Sequence, residues 1–305
     1  MPNKNFDNCV SFFIDNGAYQ GRFIRLNEVL DTIINKHSYP LPVSAVVSET
    51  TVLAAMLAST LKYDGLFTLQ TQSNGPVPMV VIDVTSDGKI RSCARFDEER
   101  LNAGQKLRKT LGQIEPTPHL LGGGHLAFTV DQGKNTELYQ GVVDLQGKTL
   151  AECALRYFKQ SEQIDTALKL FLHAPQGESK SWIAGGIMLQ KMPTKGGNEV
   201  DSEAAEEAWN EAKIFMESLS EDEVFDSNLS SEDILHRLFH GNSLNIQQTK
   251  NYTFSCRCSR EKLLQTLSTF SNDDIKSMIE DGKISATCHF CSEQYCFAPS
   301  EIIKQ

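Results

Sequence analysis

The chain has 305 residues, 40% of them apolar and 22% charged, with a net charge of −10. At about 150 residues per domain, that length suggests two domains, and the composition excludes global disorder and a collagen-like repeat. The acid excess argues against a nucleic-acid partner, because polyanion binding rests on Lys and Arg neutralising phosphates.

No apolar run is expected to reach the roughly 20 residues of a membrane span; the best candidate, Val43 to Leu61, is interrupted by Ser44, Ser48, Glu49, Thr50 and Thr51. The first 20 residues hold Asp7 and Asp15 and no basic segment ahead of an apolar stretch, so no secretory signal is expected. The expected location is the cytoplasm, with no membrane partner.

Residues 1–193 have the pattern of a mixed α/β core. Asn27 to His37 reads as a short amphipathic helix with Val29, Leu30, Ile33 and Ile34 on one face. Ser44 to Thr60 is a longer helix, apolar all round and therefore buried. The turn Lys62-Tyr-Asp-Gly65 leads into a strand at Leu66 to Gln72, and a second turn follows at Asn74 to Pro76. Strands at Met79 to Val84 and Lys89 to Phe96 are joined by Ser-Asp-Gly at 86–88. More strand signal runs through Leu126 to Val130 and Thr136 to Val143, followed by a helix from Thr149 to Phe158 and an extended piece at Thr166 to His173.

Two glycine-rich strings do not make phosphate sites. Gly122-Gly-Gly-His125 leads into a strand, whereas a phosphate cradle needs a helix N-terminus. Gly141 to Thr149 ends in Gly-Lys-Thr, but its spacing is one residue too long for a Walker A loop. No Ser–His–Asp or paired-carboxylate pattern stands out, and the chain is expected not to be an enzyme.

Residues 194–250 change character after Gly196-Gly197. Between Glu199 and Glu223 there are ten acidic residues and one basic residue, Lys213. An amphipathic pattern runs through Ala205, Ala208, Trp209, Ala212, Phe215, Met216 and Leu219, and a second short helix fits Ser231 to Phe239 with Ile234, Leu235 and Leu238 inward. Helices with one apolar face and many like charges depend on a neighbour to stay folded. This segment is expected to be an acidic helical linker: a solvated connector, or an element that folds and melts with its neighbours.

Five of the eight cysteines fall in residues 251–305. Cys256-Arg-Cys258 is followed, after 29 residues, by Cys288-His-Phe-Cys291. Two close pairs are what a tetrahedral zinc site needs, with Zn–S near 2.3 Å, so Cys256, Cys258, Cys288 and Cys291 are the expected ligands of one Zn²⁺. The insert should fold on its own. Ser259 can cap a helix with Leu263, Leu264, Leu267 and Phe270 inward, and Ser271 with Asp274 starts a second, with Ile275, Met278 and Ile279 inward and Gly282 as its stop. Ile284 to Thr287 and Gln294 to Phe297 flank the second knuckle as strands. A 55-residue unit with so few large apolar side chains needs metal for stability.

The same cysteines also fit a static structural zinc site, and His289 inside the knuckle is an alternative ligand. Four thiolates leave no open position for water, which excludes a zinc hydrolase. Six basic and seven acidic side chains in 251–305 give no basic stripe. Cys296, on a strand between Tyr295 and Phe297, reads as a packed thiol, with a resolving or mispairing thiol as the alternative. Cys93 and Cys153 read as small core residues, and Cys9 is uninformative.

The arrangement resembles the 33 kDa chaperonin family of redox-regulated chaperones. The resemblance rests on Cys256-x-Cys258 with Cys288-x-x-Cys291, supported by Leu61-Lys-Tyr-Asp-Gly65, Tyr139-Gln-Gly-Val-Val143, Tyr157 with Ser161-Glu-Gln163, and Ala184-Gly-Gly186 with Leu189-Gln190. It implies an α+β fold of three units: an α/β substrate-binding core (1–193), a helical linker (194–250) and a zinc-binding redox-switch domain (251–305). It further implies an ATP-independent holdase in which oxidation closes Cys256–Cys258 and Cys288–Cys291 disulfides, zinc leaves, and the tail and linker unfold to expose apolar surface to unfolding client proteins. A homodimer when oxidised, reduction by cellular thiol systems and transfer of clients to ATP-dependent chaperones belong to the same expectation. The rivals are an interaction module with a static zinc site and a zinc-containing thiol–disulfide oxidoreductase.

Overall fold

The computed structural model describes residues 5–111, 117–133, 138–175, 181–193 and 202–302. The expected strand start at Thr136 and the Gly196-Gly197 junction lie outside them. The fold is α+β, with two sheets on either side of one helix.

The first strand, Asn8–Ile14 (β1), pairs antiparallel with Tyr19–Leu26 (β2). The long helix comes next in the core: Glu28–Asn35 (α1) leads into Leu41–Thr60 (α2), with Pro40 at the N-cap and Pro42 in the first turn, where a missing N–H costs nothing. The second sheet then forms from Leu66–Ser73 (β3), Met79–Thr85 (β4) and Lys89–Arg95 (β5). Alternation is clear in β3, where Phe67, Leu69 and Thr71 are buried and the residues between and beside them are half-buried or, at Gln72, exposed. After Glu98–Leu111 (α3) and Thr117–Leu121 (α4), Gly124–Asp131 (β6) and Tyr139–Asp144 (β7) extend this sheet. Leu150–Tyr157 (α5), capped by the Thr149 hydroxyl, and a π-helical turn at Phe158–Glu162 lead back to the first sheet, where Thr166–His173 (β8) and Ile183–Lys191 (β9) pair.

Helix α2 packs on β2, β8 and β9 on one side and on β3, β4 and β5 on the other. By length and composition it could cross a membrane, which corrects the expected interruption by its polar residues; 78% of its apolar window is buried inside the fold. Two of its buried hydroxyls are satisfied locally, Thr50 and Thr51 donating to the carbonyls of Val46 and Val47 at 2.6 Å each, while Ser48 Oγ is buried without a partner. That is how a polar-dotted segment serves as a core helix.

The outer face of the first sheet carries a second apolar core. Phe12, Ile14, Phe23, Phe171, Ile187 and Leu189 project there. They are covered by three helices of the acidic segment: Ser202–Ser218 (α6), Glu221–Phe225 (α7) and Ser231–Phe239 (α8). Trp209, Met216, Leu219, Val224, Ile234, Leu235 and Phe239 are buried against the sheet. Helix α7 is absent from the sequence expectation; Ser220 and Glu223 form a capping box that starts it. Arg25 on β2 is fully buried and donates to the carbonyls of Asp226 and Leu229, at 3.3 and 2.8 Å, in the loop between α7 and α8.

Asn245–Asn251 (β10) adds to the edge of β1, and Thr253–Phe254 (β11) runs parallel to β5, so the chain from 245 to 254 is stitched into both sheets. The sheet orders are β10-β1-β2-β9-β8 and β11-β5-β4-β3-β6-β7. The tail then forms Arg260–Leu267 (α9), Asn272–Ser277 (α10), the hairpin Ile284–Thr287 (β12) with Gln294–Phe297 (β13), and Pro299–Ile302 (α11). Its core is small: Leu267, Ile275, Ile284, Phe297 and Ile302.

Three details of the tail depart from expectation. Helix α9 ends at Leu267, and Phe270 is exposed. Gly282 does not stop α10; with Asp281 it makes a left-handed turn (φ 72° and 48°) that bridges Glu280 to Lys283. Cys296 is exposed, because in β13 the inward positions are Tyr295 and Phe297 and a strand alternates its faces.

Candidate metal centre

Each pair of cysteines sits on a turn that the surrounding backbone fixes. Cys256 follows β11, where the Ser255 N–H donates to the Ile90 carbonyl at 3.0 Å and holds the turn on the second sheet. Cys258 precedes Ser259, whose hydroxyl caps α9 by accepting from the Lys262 N–H. In the other knuckle, the Cys288 N–H donates to the Glu293 carbonyl at 2.9 Å, and the Ser292 N–H donates to the Cys288 carbonyl at 2.8 Å. Ser292 takes a left-handed conformation (φ 57°) to close that loop.

The four sulfurs of Cys256, Cys258, Cys288 and Cys291 lie within 4.8 Å of one another. Cys256 and Cys288 are 3.6 Å apart, and Cys258 and Cys291 are 3.4 Å apart. A tetrahedron with Zn–S near 2.3 Å has S···S edges of about 3.8 Å, so these spacings suit such an ion. His289 is exposed and lies outside the group.

The chemistry of the donors points the same way. Burial pushes Cys256 up, but the Cys258 N–H and the thiols of Cys258, Cys291 and Cys288 outweigh it and bring its pKa to about 7. Burial raises Cys288 and Cys291, and for Cys291 the neighbouring sulfurs add to the rise. Four sulfurs this close cannot all ionise beside one another; a divalent cation among them removes that conflict. The cluster can therefore hold a metal ion.

The surroundings tie the cluster to the core. The Tyr295 hydroxyl lies 3.3 Å from the Cys258 sulfur, and that contact is the main reason its phenol is raised. Arg91 on β5 donates to the Cys256 sulfur at 3.9 Å and stacks its guanidinium 3.9 Å from the centre of the Phe290 ring. The Ser292 hydroxyl meets His37 Nδ1 at 3.3 Å.

Elsewhere, Cys9, Cys93 and Cys153 are buried, and Cys9 bonds to the Ser59 hydroxyl at 3.5 Å. A cavity of about 270 Å³ opens between the sheets beside Phe128, Tyr139, Tyr157, Phe158, Glu162 and Met192. The Tyr139 and Tyr157 hydroxyls meet at 2.7 Å and both donate to Glu162.

A family model described as Hsp33 protein matches residues 7–298. The 33 kDa chaperonin of Caulobacter vibrioides is 37% identical over 297 residues, covering 96% of this chain and 95% of that protein. The 33 kDa chaperonin of Pseudomonas putida is 32% identical over 304 residues, covering 99% and 93%. A crystal structure of the 33 kDa chaperonin (heat shock protein 33 homolog) of Thermotoga maritima superposes with a TM-score of 0.78, covering 97% of this chain and 96% of that one, at 22% identity. That likeness shows a shared fold.

Proposed function

This chain belongs to the Hsp33 family, a family of stress-response chaperones, and from that premise we propose that it is an ATP-independent holdase gated by the oxidation of its four clustered cysteines. The observation that carries the proposal is the pairing of two features: a four-sulfur cluster in a tail with a five-residue buried core, and an apolar sheet face covered by acidic helices.

Cys256, Cys258, Cys288 and Cys291 would hold Zn²⁺. Bound zinc supplies folding free energy, of order 10–16 kcal/mol in small structural sites. The residues supply the switch. The thiolates of the cluster are the groups an oxidant such as peroxide would attack. Each disulfide forms from two thiols and one hydrogen peroxide, which takes two electrons and two protons and leaves as two waters. In the folded cluster the shortest spacings cross between knuckles. Along the chain Cys256 with Cys258 and Cys288 with Cys291 are near neighbours, so those two pairings can close locally. A disulfide sulfur is a poor ligand, and the tail then lacks the core to stay folded.

The tail (251–305) and the linker (194–250) would act as successive covers over the core (1–193). With the tail unfolded, β11 and β10 lose their continuation, and α6 to α8 loosen. Phe12, Phe23, Phe171 and Ile187 become available to unfolding clients. Leu61, Leu138, Tyr139, Val142 and Met192 are exposed already, and Leu61, Tyr139 and Met192 line the cavity between the sheets. The acidic surface would keep complexes soluble. In this reading the oxidised form is a homodimer in the cytoplasm, thiol-reducing systems reset it, and ATP-dependent chaperones receive its clients.

The test measures zinc release and suppression of client aggregation on the same purified sample before and after peroxide. The gated reading requires both to rise together. A static zinc site gives neither, and an oxidoreductase turns over a thiol donor at substoichiometric amounts.

A further inference from the structure

Asp83 on β4 is the most heavily used carboxylate among the described residues, and its partners come from two parts of the molecule. Its Oδ1 accepts from the Thr68 hydroxyl at 2.7 Å. Its Oδ2 accepts from Arg91 Nε at 2.8 Å and Nη2 at 2.6 Å, and from Arg257 Nη2 at 2.7 Å. Arg257 stands between the two cysteines of the first knuckle, and Phe290, between those of the second, covers the Arg91 guanidinium. Thr68, Asp83 and Arg91 occupy one cross-strand row on the outer face of the second sheet. The Asp83 side chain is 6% exposed, so these charge-assisted bonds are shielded from water.

We propose that this row is a docking surface for a guanidinium beside an aromatic ring, filled in this chain by Arg257 and Phe290, and that it is a latch separable from metal binding. None of Thr68, Asp83 and Arg91 is among the four candidate ligands; Arg91 reaches the Cys256 sulfur only by a long contact at 3.9 Å, while Arg257 meets Asp83 and Phe290 covers the Arg91 guanidinium. The latch is also built to open. Asp83 and Arg91 face each other in register across β4 and β5, so when Arg257 leaves, Asp83 keeps Arg91 and Thr68. No unpaired buried charge is stranded, which is the usual cost of breaking such a contact. Two locks therefore hold the tail, one of metal and sulfur and one of charge and ring.

Cys93 is the reporter. It shares the outer face with Arg91, two residues along β5, and is 5% exposed. Cys256 and Cys288 are near enough for their charges to reach it. The experiment alkylates the reduced, zinc-loaded full chain with iodoacetamide and maps Cys93 by mass spectrometry, while metal content is measured in parallel. Asp83→Asn and Arg257→Ala are each expected to label Cys93 at least tenfold faster than the parent, with zinc content unchanged; Arg257→Lys restores most of the protection. Arg257 lies at the surface, 39% exposed, so its variant keeps the test valid should Asp83→Asn fail to fold. Unchanged labelling in Arg257→Ala overturns the proposal, and so does loss of zinc in step with labelling. No oxidant is used, so neither result bears on the redox gate.

Discussion

If the acidic helices are a lid over the client face, then loosening the lid should activate the reduced protein. Phe239 on α8 is fully buried, with its ring 5.6 Å from that of Phe12 on β1. Truncating a buried Phe to Ala costs about 3–5 kcal/mol. At 1.4 kcal/mol per factor of ten, Phe239→Ala should raise the open population of the lid by about 10² to 10³·⁵. The assay is client aggregation in thiol-containing buffer, where the proposed gate requires the parent to be inactive. Trp209 reports the lid directly: it is 5% exposed and packs 5.3 Å from Tyr19, so opening shifts its emission to the red in a Trp182→Phe background. The control is Leu53→Ala, a loss of similar size in α2, which should lower global stability without exposing Trp209. Refutation takes either of two forms. Phe239→Ala exposes Trp209 yet gives no holdase activity, or Leu53→Ala activates equally well.

Other outcomes follow from the same geometry. Gly185→Ala would place a Cβ 2.7 Å from Val224 Cγ1 and 3.0 Å from the Ile24 carbonyl, an overpacking cost of about 1–3 kcal/mol; α7 should lift, giving measurable reduced-state activity. Tyr295→Phe removes the hydroxyl beside the Cys258 sulfur and should weaken zinc affinity about 10–100-fold in a chelator competition. Cys288→Ser should lower it further, whereas Cys296→Ser, outside the cluster, should leave metal content unchanged. Burial raises the Glu49 carboxyl, whose partner is the Thr117 hydroxyl. An acid raised in the fold contributes most at low pH and loses that contribution as pH climbs from its ordinary value through the raised one. Glu49→Gln should therefore flatten the pH dependence of Tm, with its gain over the parent growing as pH rises above the ordinary carboxylate range.

The local signals that were strong in the sequence belong to elements whose stability is local. The helix at Ser231 to Phe239 carries its own capping box and amphipathic face, and the knuckles are defined by spacing. What stayed hidden depends on partners distant in sequence. Strand β9 contains Gly185-Gly186, which lowers strand propensity, yet the glycines are there because Val224 and Met56 press on the backbone. Strand β2 carries Arg22 and Arg25, which read as surface residues until the loop carbonyls of the linker are in place around Arg25. Strand β10 is short of apolar residues because it is an edge strand that takes its stability from hydrogen bonds to β1. The latch was equally invisible, since Asp83 and Arg257 are 174 residues apart.

In the proposed gate the acidity of the helices over the first sheet would itself take part. On α6, Glu203 stands four residues before Glu207, and Glu207 four before Glu211, all three exposed. Like charges at that spacing each cost a helix about 0.2–0.5 kcal/mol. Helix α6 also has ion pairs back to the core, Lys191 with Glu206 at 3.4 Å and Lys169 with Glu217 at 3.5 Å, but exposed pairs of this kind contribute little. In the proposed gate this repulsion would lower the stability of the lid, and its apolar face would do the holding. Glu207→Lys turns two repulsions into attractions, a change of about 0.8–2 kcal/mol, or roughly 4- to 30-fold in the opening equilibrium. The variant should need more oxidant, or more heat, before Trp209 becomes exposed. Raising salt should close part of the same gap in the parent, because exposed charges are screened within about 8 Å at physiological ionic strength. A parent indifferent to salt, or a Glu207→Lys variant that opens as readily as the parent, would mean that packing alone sets the threshold.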